Sequence, residues 1–228
     1  MIYNIFNGVG IVLGALIGRV VGHKMSDEQI DSILVIANLS LLVIGMQGAI
    51  QTENSMLMMI SLVIGGIIGT AIDIDGKFYK LGETLQSKFK GSNPRHTRGI
   101  VQVMMIHAIG SMAIIGPVNA ALKNDGSLLI LKTVLDLISS IIFSTSFGFG
   151  VALSGITTFT YQSFFFMLAT FIAPILTPEV INEISAIGSV LILALSFNLL
   201  KMKEIKISNY LPAILGPMIY HIFQSTFL

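Results

Sequence analysis

Long apolar runs, broken only by short polar stretches, dominate the chain. A helix needs about 20 apolar residues to cross the hydrocarbon core of a bilayer. Eight segments meet that length, at roughly 2–22, 31–51, 56–72, 98–117, 128–151, 157–175, 182–200 and 208–227. The pattern therefore predicts an all-α, polytopic transmembrane helix bundle of about eight spans. A single membrane domain over residues 1–228 is expected, because the remaining loops are too short to fold alone. Arg19, His23 and Lys24 follow the first run and no basic stretch precedes it, so it reads as a span and not a cleaved leader. One segment breaks the pattern. Between about 73 and 97, Phe78, Leu81, Leu85 and Phe89 recur at helical spacing among Lys77, Lys80, Glu83, Lys88 and Lys90. That spacing predicts a short amphipathic helix on the cytoplasmic membrane surface.

Composition sharpens the class. Of 228 residues, 54% are apolar and 11% charged, with a mean hydropathy of +0.85. Soluble domains carry about 25% charged residues, so this chain is far too poor in charge for one. There is no cysteine, which excludes disulfides, thiolate metal sites, iron–sulfur clusters and a cysteine nucleophile. The net charge of +1 is uninformative, but its distribution is not. With eight spans, only Lys123 and Lys132 of the 13 Lys and Arg residues fall on one side. The positive-inside rule then makes the crowded side cytoplasmic and puts both termini outside. A bacterial cytoplasmic membrane, with the lipid bilayer as the main partner, is the expected location.

Glycines and polar residues inside the spans carry the next level of detail. Gly10, Gly14, Gly18 and Gly22 form an unbroken Gly-x-x-x-Gly ladder, and Gly65 and Gly69 add another step. Lipid supplies no hydrophobic drive between helices, so close backbone contact at glycines is the expected attraction. Such a ladder serves packing within the bundle or a subunit interface in a homo-oligomer. Asp136 lies about 12 Å into the fifth span. A carboxylate at that depth costs about 2.5–3.5 kcal/mol on insertion scales and must face a partner or a wet cavity. Lys132 sits one turn away, and Ser139, Ser140 and Ser144 continue the same region of the helix. Two readings stay open: a structural Asp136–Lys132 clasp, or a carboxylate lining an ion or proton path.

His107 lies mid-span, where an imidazole bonded across helices competes with a proton relay. Asn38, Gln47, Asn119 and Asn198 read as caps or interhelical glue, with Asn119 also placed on the candidate path. Pro212 and Pro217 predict a kinked or broken final span. Three stretches repeat a small residue, then Ser, then a small residue: Ala37 to Gly45, Ala108 to Gly116 and Ala186 to Ala194. Spans one to three and six to eight are therefore candidates for an inverted repeat, a device by which transporters build a midplane site.

Enzymatic signals are absent from the sequence. Asp136 has no second deep carboxylate for an aspartyl protease, and no Gly-x-Ser-x-Gly turn or metal-spaced His pair is present. No metal, cofactor or nucleic-acid partner is expected, since the basic loop lacks interleaved aromatics. The segment Asp73-Ile-Asp-Gly-Lys-Phe-Tyr-Lys-Leu-Gly-Glu83 resembles a cytoplasmic motif of the bacterial domain-of-unknown-function 554 family, the YdfK/YqgA-like membrane proteins. Leu135-Asp136-Leu-Ile-Ser-Ser140 running into Phe147-Gly-Phe-Gly150, and Ile184-Ser-Ala-Ile-Gly188 leading to Asn198, resemble it too. The resemblance covers nearly the whole chain and implies an integral inner-membrane protein without implying an activity. Asp136, Ser139 and Ser140 fall within its motif. The expected function is a transporter or channel for a small inorganic ion, a cation or a proton-coupled species, or for a small solute. The alternative is a membrane-embedded sensory or interaction subunit with no transport of its own.

Overall fold

The structure is a computed structural model that describes residues 1–87 and 94–227. Its elements are α1 (Ile2–Gly22), α2 (Asp27–Ala49), α3 (Ser55–Ala71), α4 (Ile74–Ser87), α5 (Pro94–Ala108), α6 (Met112–Leu122), α7 (Ser127–Phe147), α8 (Leu153–Met167), α9 (Ala169–Ile172), α10 (Pro178–Leu199) and α11 (Gly216–Phe227). Two 3-10 helices, Gly148–Ala152 and Ile207–Leu215, interrupt the series. No strand occurs among the described residues, so the expected helical bundle is what is observed. By length and apolarity, four stretches can cross a membrane, and two bent helix pairs raise the number to six. One of the four, Ser127–Met167, doubles back on itself, as its contacts with α1 show below. The chain packs as two compact units, Met1–Asn38 with Tyr79–Ala169, and Leu39–Phe78 with Thr170–Leu228.

In the first unit the glycine ladder of α1 lies directly on α7. Gly10 meets Thr133, Gly14 meets Leu137 and Ser140, Gly18 meets Ile141 and Ser144, and Gly22 meets Thr145. Residue numbers rise together on both helices, so α1 and α7 run parallel. A Cβ on Gly14 or Gly18 would collide with the carbonyl oxygen of Leu137 or Ile141. The ladder therefore serves intrachain packing, one of the uses expected for it. After α7, Gly148 takes φ +67°, a left-handed conformation that costs glycine little, and the chain turns. Gly155 of α8 then lies against Gly8 and Val12, and Phe159 against Gly8. Ten residues on from Gly22's neighbour Thr145, Gly155 is back beside the first half of α1, so α8 runs antiparallel to it.

The α5–α6 segment is a broken helix with a 48° bend, and Gly110 at φ +115° occupies the break. The following loop is tied to α7 by the Asp125 carboxylate, which accepts from the Ser127 amide at 2.9 Å. That bond holds the Asp125 carboxyl below the usual carboxylate range. The amphipathic segment forms α4, bent 58° from α3 where Asp73 takes φ +50° and its carboxylate accepts from the Gly76 amide. Phe78 is half-buried and Leu81 exposed, Gly82 closes on Val101, and Arg98 stands 5.9 Å over the Tyr79 ring. Lys88, Phe89 and Lys90 of the expected amphipathic face lie outside the described residues.

In the second unit, Gly45 and Gly48 of α2 meet Leu193 and Ser189 of α10, an antiparallel contact. Ser61, Gly65 and Gly69 of α3 meet Gly216, Ala213 and Asn209 in the same antiparallel sense. The expected broken final span is observed as the 3-10 helix holding Pro212, followed by α11 with Pro217. Asn198 clamps the turn before it, accepting from the Ile205 amide and donating to the Ile205 carbonyl, each at 2.7 Å.

Gly14→Leu tests this packing. Overpacking typically costs about 1–3 kcal/mol, and rigid backbone on the far side puts this site at or above the top of that range. The variant should lose most of its folded, monodisperse protein in detergent, measured by fluorescence-detected size exclusion and thermal unfolding. Leu13→Ala on the exposed face of the same helix should change little.

Candidate functional site

The buried stripe of α7 is Leu129, Lys132, Asp136, Ser140, Phe143 and Ser144, spaced at three and four residues. It flanks the face that meets α1, so the two helices together turn the polar side chains into the first unit. Lys132 Nζ stands 2.9 Å from both Asp136 carboxylate oxygens, with the pair almost wholly buried. The hydrogen bond is directed at Oδ1, and Oδ2 receives none. The clasp considered from sequence therefore forms, yet it leaves acceptor capacity on the carboxylate. Ser140 is fully buried and its hydroxyl has no hydrogen-bond partner within the protein. Ser144 is satisfied, donating to the Ala15 carbonyl at 2.8 Å and approaching the Gly148 carbonyl at 2.9 Å.

His107 sits at the end of α5, just before the Gly110 break, and is fully buried. Its Nδ1 is 2.9 Å from Ser154 Oγ of α8 and its Nε2 is 2.9 Å from Ser139 Oγ of α7. The two serines also reach the carbonyls of Val151 and Asp136. Each hydroxyl has one proton, so a neutral imidazole needs one serine to donate to the ring instead of to its carbonyl. The ring is thus a cross-helix tie joining α5, α7 and α8, one residue pair away from the ion pair. Asn119 is half-buried in the last turn of α6, where its backbone carbonyl accepts from Lys123 and Asp125. Among the described residues no hydrogen bond joins its side chain to this group.

Four further residues were not singled out by the sequence. Asn4 and Asn7 of α1, and Thr158 and Gln162 of α8, are all at 0% exposure. Neither end of any of the three carboxamides, nor the Thr158 hydroxyl, has a hydrogen-bond partner within the protein. The available signal was spacing. Asn4, Asn7, Ile11 and Gly14 share one stripe of α1, while Ser154, Thr158 and Gln162 recur every four residues in α8. With α1 and α7 in parallel register, the polar side chains succeed one another along the unit. Asn4 and Asn7 come first, then Lys132, Asp136, Ser139 with His107, Ser140 and Ser144. At 1.5 Å per residue the column is roughly 20–25 Å long.

A second buried carboxylate lies in the other unit. Glu183 of α10 accepts from the Thr52 hydroxyl at 2.6 Å, the Glu53 amide at 2.8 Å and the Asn54 amide at 3.1 Å. It ties down the α2–α3 turn and borders a cavity of about 160 Å³ shared with Glu179, Tyr220 and His221. Among the described residues no group of three or more His, Asp or Glu is arranged to hold a metal ion.

These helices, apolar outside and polar along one interior column, define a polytopic helical membrane protein. The chain belongs to the family described as "Protein of unknown function (DUF554)", whose model matches residues 2–222. It is 32% identical over 221 residues to the uncharacterized membrane protein YdfK of Bacillus subtilis (strain 168), covering 95% of this chain and 94% of that one. It is 26% identical over 217 residues to the uncharacterized protein YqgA of Escherichia coli (strain K12), covering 93% and 92%. No solved structure matches the chain.

The ion pair makes a stability prediction. Asp136→Asn strands the Lys132 ammonium, and breaking a buried pair costs about 3–5 kcal/mol. Its unfolding midpoint in detergent should fall well below that of the wild type. The double variant Asp136→Asn/Lys132→Met should recover most of the loss.

Proposed function

We propose that this protein is a transporter or channel for a small inorganic ion or small solute, with its passage inside the first unit. The observation that carries the proposal is the polar column between α1, α7 and α8. It is nearly as long as the hydrocarbon core, about 30 Å, and is buried within a unit whose outer surface is apolar. Polar and ionisable groups at membrane depth are expensive, and they concentrate along substrate and ion pathways. Several members of this column lack a protein partner, which favours a wet passage over a dry structural network. The broken helix beside His107 adds support, because interrupted helices are where transporters expose backbone groups to their cargo.

The sequence contains no Gly-x-x-x-x-Gly-Lys-Ser/Thr phosphate loop. Active transport by this chain would then draw on an ion gradient or a partner. The positive-inside distribution supports a reading in which the protein sits in the bacterial cytoplasmic membrane with both termini outside and the Asn4 end of the column toward that side.

Two measurements test the reading. Purified protein in liposomes, with a panel of ion- and pH-sensitive dyes, should pass at least one species. The Asp136→Asn/Lys132→Met variant, folded but stripped of both charges, should pass it at least about tenfold more slowly. Silence across the panel would favour the sensory or interaction subunit instead. Cysteines introduced at Glu53, Asp125 and Glu179 should label from outside intact cells, with those at Gln86 and Lys203 protected. The reverse pattern would overturn the orientation.

A further inference from the structure

We infer that Asn4, Asn7, Thr158 and Gln162 form a binding site for a dehydrated monovalent cation near the N-terminal end of α1. The inference deepens the transport reading by naming the species, and so rests on it for its role. Its geometry stands separately. Gly155 and Phe159 of α8 pack on Gly8 with the helices antiparallel, so Thr158 lies level with that contact and Gln162 one turn beyond it. Going the same way along α1, Asn7 adjoins Gly8 and Asn4 is one turn beyond. The four side chains therefore share one layer between the two helices.

All four are at 0% exposure, and every polar side-chain atom they own lacks a protein partner. An unpaired buried amide or hydroxyl is costly, and here seven such atoms are gathered in one layer. A cation that takes up oxygen lone pairs satisfies four of these seven atoms, the oxygens. Both ends of each carboxamide are unengaged, so each can turn its oxygen inward. Together the layer offers four neutral oxygens: Asn4 Oδ1, Asn7 Oδ1, Gln162 Oε1 and Thr158 Oγ1.

Charge decides the ligand class. Neutral carbonyl-type oxygens replace the hydration shell of alkali cations, as in rings of backbone carbonyls. Divalent cations bind through carboxylates, and this layer has none. Further along the column the one carboxylate, Asp136, is neutralised by Lys132. The desolvation cost of an ion grows with the square of its charge, so an uncompensated monovalent ion is tolerated where a divalent one is not. The sign follows from the four oxygens the layer offers, since Asp136 Oδ2 is itself held 2.9 Å from Lys132 Nζ. Lys132, the cation, is already engaged.

The test is binding, read without flux. Wild-type protein in neutral detergent is unfolded thermally in NaCl, KCl, potassium gluconate and choline chloride at matched ionic strength. Sodium or potassium should raise the midpoint by roughly 3–8 °C over choline when well above its dissociation constant. Chloride and gluconate should be equivalent. The conservative pair Asn7→Leu and Gln162→Leu should abolish the cation-specific shift. Each should fold at least as well as the wild type in choline, because it removes unpaired polar atoms. Equal midpoints in all salts, a shift that follows the anion, or a shift retained in both variants would overturn the inference. A preserved shift with no liposome flux would leave the site standing and remove only the transport reading.

Discussion

Close contact between the backbones of α1 and α7 is the constraint on which the first unit depends. Gly14 and Gly18 leave so little room that the Leu137 and Ile141 carbonyl oxygens fill the space a Cβ would need. In lipid the attraction between helices is van der Waals contact and polar bonding, with no hydrophobic drive to assist. Four glycines at intervals of four therefore do two things. They bring the helices together, and they lock a parallel register that cannot slip by a residue without a clash.

That register places the polar groups. On α7 the backbone lying on the glycines is that of Thr133, Leu137, Ile141 and Thr145; the buried stripe of Lys132, Asp136, Ser140 and Ser144 runs along its edge, with Ser140 and Ser144 also touching Gly14 and Gly18. Holding the first set against α1 turns the second into the unit's interior. The turn at Gly148 then sends α8 back along α1, adding Ser154, Thr158 and Gln162 to the same interior. His107 closes the arrangement by bonding Ser139 and Ser154, two serines on different helices. The second unit uses small residues in the same way, at Gly45, Gly48, Gly65 and Gly69, but its contacts are antiparallel. Its buried carboxylate, Glu183, is spent on backbone amides of a turn and so carries a structural load.

Asp136 and Glu183 show how position in a helix governs legibility. A lone acid deep within an apolar run is conspicuous, because its desolvation cost is large wherever it faces. Glu183 lies near the start of α10, where an acid is ordinary, and only the Thr52–Asn54 turn brought to it by folding makes it a buried acceptor. Asn4 and Asn7 escaped notice for the same reason: polar residues near a span end are unremarkable until their exposure is known to be zero.

The sequence by itself determined the helical class, the membrane environment and the family, because these follow from apolar run length, charge deficit and local motifs. It also showed the glycine ladder, the Asp136–Lys132 spacing and the break at the final prolines, each local along one helix. Only the tertiary structure decided that α1 pairs with α7, that the pair is parallel, and that His107 spans two serines 47 and 32 positions away. It alone joined Asn4 and Asn7 to Thr158 and Gln162 in one layer. Periodicity reports which residues share a face, whereas the helix that covers the face is set by contacts between distant segments.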